Sequence, residues 1–153
     1  MKISVLGCGR WGSFIAWYQS AVKGNEVISW GLEGEYSYEI LKNTGRNEYV
    51  ELDKRITLTC DLEFALKSSD VIIISISSQG LRGFMRRIIK YPVQDKIFVL
   101  CMKGIEEGTG KRLSEILVES GISPEKIAGL CKGHTQLHGH RLRQRRAQAL
   151  SCR

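Results

Sequence analysis

Apolar residues in the first 130 positions fall into two alternating kinds of pattern. Short runs rich in β-branched residues, at 3–6, 27–30, 56–59, 71–75, 97–100 and 126–130, read as strands. In the fourth run Ile72, Ile73 and Ile74 follow one another without polar alternation, which predicts a parallel strand covered on both faces. Between the runs apolar positions recur at helical spacing. Trp11, Phe14, Ile15, Tyr18 and Val22 form one stripe, Leu81, Phe84, Met85 and Ile88 a second, and Leu113, Ile116 and Leu117 a third, each the apolar face of a helix. Asp61, three residues before Phe64, and Ser123, before Pro124, stand where helices or turns are capped. Alternating strands and helices predict an α/β fold with a doubly wound parallel sheet, because parallel neighbours need a crossover, nearly always right-handed.

The alternation stops near Cys131. Residues 1–131 read as one domain and residues 132–153 as a basic tail, KGHTQLHGHRLRQRRAQALSCR, with no acid and no aromatic residue. The tail has too little apolar surface to offset the entropy of ordering itself, so disorder is expected there. Composition supports this division. The net charge of +7 points to an anionic partner until it is located: residues 1–131 carry 17 Lys/Arg against 16 Asp/Glu, and the other six cations are all in the tail. The tail's Arg143, Arg145 and Arg146 give at most weak, salt-sensitive association with nucleic acid, since no stacking aromatic or known module accompanies them. Cys131, His134, His138 and His140 match zinc spacing only loosely, and no metal site is assigned. The five cysteines are irregularly spaced and are expected to be reduced. With neither a signal peptide nor a membrane span in the sequence, a cytoplasmic location is expected.

The chemistry lies between strand and helix. Gly7, Gly9 and Gly12 form G-x-G-x-x-G directly after the first strand. In that context the first glycine allows a tight turn, the second a close approach of backbone to pyrophosphate, and the third contact of helix with sheet. The free amides of the helix's first turn then face the phosphates. This makes the domain Rossmann-like and a dinucleotide its ligand. Glu33, about 20 residues beyond Gly12 at the end of the second strand, is placed to accept hydrogen bonds from ribose hydroxyls and to repel a 2′-phosphate, which favours NAD over NADP. A solvated loop charge is the alternative for Glu33. Arg10 is either a phosphate partner or an exposed side chain. Ser77, Ser78 and Gln79, after the fourth strand, either line the nicotinamide pocket or cap a helix. Lys103, after the fifth, lies at the strand edge where open sheets bind ligands, unless it is simply solvated.

Taken together, MKISVLGCGRWG, EVISWG, TCDLEFALKSSDVIIISISSQGLR and MKGIEEGTGKRLSEIL resemble the N-terminal domain of bacterial-type NAD(P)-dependent glycerol-3-phosphate dehydrogenase over residues 1 to about 130. The resemblance implies reversible hydride transfer between a nicotinamide cofactor and C2 of sn-glycerol 3-phosphate, giving dihydroxyacetone phosphate and supplying phospholipid synthesis. It implies cofactor-binding roles for Gly7, Gly9, Arg10, Trp11 and Gly12, and gives Lys103 contacts to both cofactor and substrate. It also implies a homodimer for the full-length family. Arg10 stands where the family commonly has serine, Leu32 where it commonly has an arginine near the ribose, and Ser77 where proline is common. The family's catalytic lysine belongs to a C-terminal helical domain that this sequence lacks, so no catalytic residue is assigned. Gly133 to Gln136 echo the family's next cofactor loop before the composition turns basic, which reads as a truncated or out-of-frame end. An NAD-binding module or redox sensor without turnover is the alternative function.

Overall fold

The structure is a computed structural model, in which residues 1–129 are described. The candidate ligands Cys131, His134, His138 and His140, the arginines at 143, 145 and 146, and the loop echo at 133–136 all lie outside the described residues.

Among the described residues six strands form one parallel sheet: β1 (Lys2–Leu6), β2 (Glu26–Trp30), β3 (Thr57–Thr59), β4 (Val71–Ile74), β5 (Ile97–Leu100) and β6 (Ile127–Gly129), in the spatial order β3-β2-β1-β4-β5-β6. Every pairing is parallel, as the alternating pattern requires. The strand order reverses between β1 and β4, where Ile3 pairs with Val71 and Leu6 with Ile74. All four residues of β4 are buried. Ile72 and Ile74 join Leu6, Phe98, Leu100, Leu81, Met85 and Ile88 on one face, and Ile73 joins Val5, Val27 and Ile15 on the other. Burying each such side chain contributes about 1.5–3 kcal/mol.

The helices that cross over between these strands are α1 (Arg10–Trp17), α2 (Tyr36–Thr44), α3 (Leu62–Lys67), α4 (Leu81–Ile88) and α5 (Leu113–Glu119). The apolar faces expected for α4 and α5 are the faces they bury. Asp61 caps α3, its carboxylate accepting the Phe64 N–H at 3.0 Å. Ser123 stands before a short 3-10 turn, but its hydroxyl donates to Glu125 rather than capping the backbone. The sequence pattern marked no helix at α2, which buries only Tyr38 and Leu41 and ends at Gly45 with φ of 70°.

The stripe on α1 is the main correction. Of its five members only Ile15 is buried, while Trp11 and Val22 are more than half exposed. The helix instead turns Gly12, Ser13 and Ala16 inward, because it lies too close to the β1 turn and the sheet for larger side chains. A π-helical turn at Tyr18–Val22 then breaks the 3.6-residue period and brings Gln19 and Ser20 inside. Excluded from the interface, the aromatics stack on one another outside, Trp11 on Phe14 at 5.4 Å and Phe14 on Tyr18 at 6.4 Å.

The loop after β5 is fixed by charge. Glu106, with a side chain only 11% exposed, accepts two hydrogen bonds from Arg82 on α4, at 2.7 and 2.8 Å, and a third from Thr109. The Arg82 guanidinium and, next, the Thr109 hydroxyl hold the Glu106 carboxyl down at about 2, from an ordinary 4.5. A lowered folded-state value means that the carboxylate stabilises the fold fully above 4.5 and loses this effect as pH falls toward 2. Glu106→Gln is therefore expected to melt below the native chain at neutral pH, with the difference closing across that acidic window. A melting-temperature difference that does not change with pH would remove Glu106 as the anchor.

Candidate functional site

The three glycines do different work. Gly7, at φ of 105°, hydrogen-bonds through its N–H to the Trp30 carbonyl, and a Cβ on it would stand 2.3 Å from the Ser75 carbonyl oxygen. At Gly12 a Cβ would be 1.7 Å from the Gly7 carbonyl oxygen, so the first turn of α1 sits directly against the glycine turn. Gly9 is the opposite case, with nothing within 4 Å of where its Cβ would be. It occupies the N-cap position of α1, and no side chain caps that end. The first-turn amides and the positive end of the helix dipole thus face open space, the arrangement that receives a phosphate.

That space is a cleft of about 290 Å³ at the strand-order reversal, lined by Gly9, Arg10, Trp11, Gly12, Ser75, Ile76, Ser78, Cys101, Met102 and Lys103. The fold therefore brings the glycine loop, Ser78 after β4 and Lys103 after β5 to one place. Glu33 is not in this wall. It is exposed in the turn that follows β2, beside the exposed Leu32, on the neighbouring strand end. Of Ser77, Ser78 and Gln79, only Ser78 lines the cleft, and no side chain caps the 3-10 turn that begins there. Gln79 braces the Lys103 loop instead, donating to the Ile105 carbonyl at 3.0 Å and accepting the Glu107 N–H at 2.9 Å. Arg10 is exposed and lies over the ring of Tyr49.

The cleft's electrostatics are one-sided. No carboxylate or imidazole lines it among the described residues, and its cations are Arg10 and Lys103. Burial pushes the Cys101 thiol up to about 12, so it stays protonated and unreactive at neutral pH. Cys8, buried behind the glycine loop, is pushed up to about 11 by burial. Both are free thiols, as is the exposed Cys60. Sequence reasoning missed Gly31, where a Cβ would stand 2.3 Å from the Cys8 sulfur, although a glycine at a strand end is a visible signal. Ser75 and Met102 were missed too, being ordinary residues that only the strand ends bring to the cleft.

The chain matches the family described as NAD-dependent glycerol-3-phosphate dehydrogenase N-terminus over residues 2–134. It is 36% identical over 124 residues to the NAD(P)+ glycerol-3-phosphate dehydrogenase of Pediococcus pentosaceus, covering 77% of this chain and 36% of that protein. To the enzyme of the same name from Carboxydothermus hydrogenoformans it is 33% identical over 122 residues, covering 78% of this chain and 36% of that one. The chain thus spans about a third of the length of these curated relatives. Among solved structures, glycerol-3-phosphate dehydrogenase from Coxiella burnetii superposes with a TM-score of 0.71 at 22% identity, over 84% of this chain and 39% of that one. The enzyme from Saccharomyces cerevisiae gives 0.69 at 24%, over 84% and 41%. These two likenesses establish the Rossmann-like fold. Glycine turn, cleft and sequence match converge on one assignment: this chain belongs to the NAD-dependent glycerol-3-phosphate dehydrogenase family, whose N-terminal portion it matches.

Proposed function

We propose that residues 1–131 are the cofactor-binding domain of a glycerol-3-phosphate dehydrogenase, followed by a separate basic tail at 132–153, and that the domain binds NAD(H) across the strand ends. The observation that carries this is the open cleft before the uncapped N-terminus of α1, shared by Gly9, Arg10, Trp11, Gly12, Ser78 and Lys103. Gly7 and Gly12 make the turn, Gly9 leaves room for a pyrophosphate, and the first-turn amides with Arg10 meet its charge. Trp11 walls the cleft. Glu33 accepts hydrogen bonds from the adenosine ribose, Ser78 faces the nicotinamide end, and Lys103 serves both cofactor and substrate phosphate. When bound, the dinucleotide supplies or accepts the hydride exchanged with C2 of glycerol 3-phosphate. The same reading assigns the activity to the cytoplasm, feeding phospholipid synthesis.

The exchange also requires a group to take the substrate's hydroxyl proton. Among the described residues no carboxylate or imidazole lines the cleft, its buried Cys101 thiol holds its proton, and Lys103 is assigned to the cofactor and the substrate phosphate, which leaves no group for that role. The 153-residue chain is therefore proposed to bind cofactor without turnover. NADH oxidation with dihydroxyacetone phosphate, measured at high protein concentration, should be undetectable, since a missing general base typically lowers rates about 10²- to 10⁴-fold and poorer substrate positioning lowers them further. Turnover at an ordinary dehydrogenase rate would show that the base lies within these residues.

Two binding measurements test the cofactor reading itself. By calorimetry NADH should bind more tightly than NADPH, because Glu33 favours free ribose hydroxyls and Leu32 offers a 2′-phosphate no cation. Equal or tighter NADPH binding would instead assign the 2′-phosphate to Arg10. Gly9→Val should abolish dinucleotide binding while the far-UV circular dichroism is retained, since the added side chain starts from a Cβ that meets no neighbouring segment within 4 Å and extends into the space the ligand needs. Unchanged affinity in that variant would move the cofactor off the glycine loop.

A further inference from the structure

Arg10 is the first residue of α1, exposed on the cleft wall, and it takes part in none of the ion pairs among the described residues. It lies over the ring of Tyr49, with the guanidinium carbon 4.9 Å from the ring centroid. A guanidinium resting on an aromatic face keeps the N–H groups of its plane free for an anion. Held this way, it has less rotamer freedom left to lose when the anion arrives.

What holds Tyr49 in place is Asn47. The Asn47 Oδ1 accepts the backbone N–H groups of Tyr49 at 2.9 Å and Val50 at 3.0 Å, while its Nδ2 donates to the Ser13 hydroxyl at 2.7 Å. Ser13 is fully buried in α1 and donates in turn to the Arg10 carbonyl oxygen at 3.1 Å. One continuous run of hydrogen bonds thus joins the backbone of Arg10 to the backbone that carries its stacking partner. The loop is closed on itself by the Asn47 N–H to the Val50 carbonyl, at 2.9 Å, and by a bridge between Arg46 and Glu51. The Asn47 amide supplies donor and acceptor together here; an aspartate would have no N–H for Ser13 and would bring a negative charge toward the cleft.

We propose that Asn47 is a positioning residue: by tying the loop at 45–52 to Ser13 it holds Tyr49 against Arg10, and so presents the Arg10 guanidinium to a phosphate group of a ligand seated at the N-terminus of α1. This rests on the dinucleotide reading of the cleft. It also gives the unusual arginine at position 10 a role: the charge is oriented by a second segment of the chain.

The test has two arms. In the absence of ligand, the Tyr49 ring shields protons above it, so the Arg10 side-chain NMR signals should lie upfield in the native chain and return to ordinary positions in Asn47→Ala. Tyr49→Leu, a change at an exposed position, should do the same. In the second arm, NADH affinity is followed through a double-mutant cycle. Arg10→Ala should weaken binding about tenfold, as for loss of a charge-assisted hydrogen bond. Asn47→Ala alone should weaken it about three- to tenfold, and by less than about twofold when Arg10 is already alanine. Equal losses in both backgrounds, or upfield Arg10 signals that survive Asn47→Ala, overturn the proposal. A native chain with shielded Arg10 signals but no affinity for NADH overturns the dinucleotide reading and the phosphate role with it, while the NMR arm still decides whether Asn47 holds the stack.

Discussion

The site depends on one close approach. The first turn of α1 presses on the glycine turn after β1 so tightly that a single methyl group at residue 12 would overlap the Gly7 carbonyl oxygen, and one at residue 7 would overlap that of Ser75. Because the helix begins at that distance, its uncapped N-terminus points over the ends of β1 and β4. The same closeness dictates the helix's inward face. Gly12, Ser13 and Ala16 fit against the sheet, and the large aromatics are displaced to the outside.

Around that point the charges are sorted. Lys103 and Glu106 are three residues apart, yet the loop turns the lysine to the cleft and the glutamate away, into the grip of Arg82 and Thr109. A carboxylate left beside Lys103 would neutralise the charge an anionic ligand needs. Pairing it with Arg82 removes that competitor and at the same time ties the loop to α4, while Gln79 secures the same loop from the β4 side. Glu33, in the turn after β2, lies at a neighbouring strand end, outside the cleft wall. Cation and anion thus stand at separate points of the same sheet edge, the separation that the proposed dinucleotide reading requires.

The sequence by itself determined the sheet and much of the cleft. Six runs became six parallel strands; the central β4 is apolar throughout because it is covered on both faces, while β3 and β6, at the sheet's edges, are only partly buried. Gly9, Gly12, Ser78 and Lys103 in the cleft wall, and Gly7 in the turn beneath it, were legible for a related reason: the ends of parallel strands lie along one edge, so a residue's place just after a strand fixes its place in space. Helices α4 and α5 declared their buried faces by period, having the sheet on one side and solvent on the other. Only the tertiary structure decided the rest. The inward face of α1 was set by the distance to its neighbour, which hydrophobic period does not encode, and α2 buries too few residues to leave a period at all. The links from Asn47 to Ser13 and from Arg82 to Glu106 join residues 34 and 24 positions apart. A polar side chain facing such a partner reads in the sequence like any solvated one, because its hydrogen bond exists only once the chain has brought both ends together.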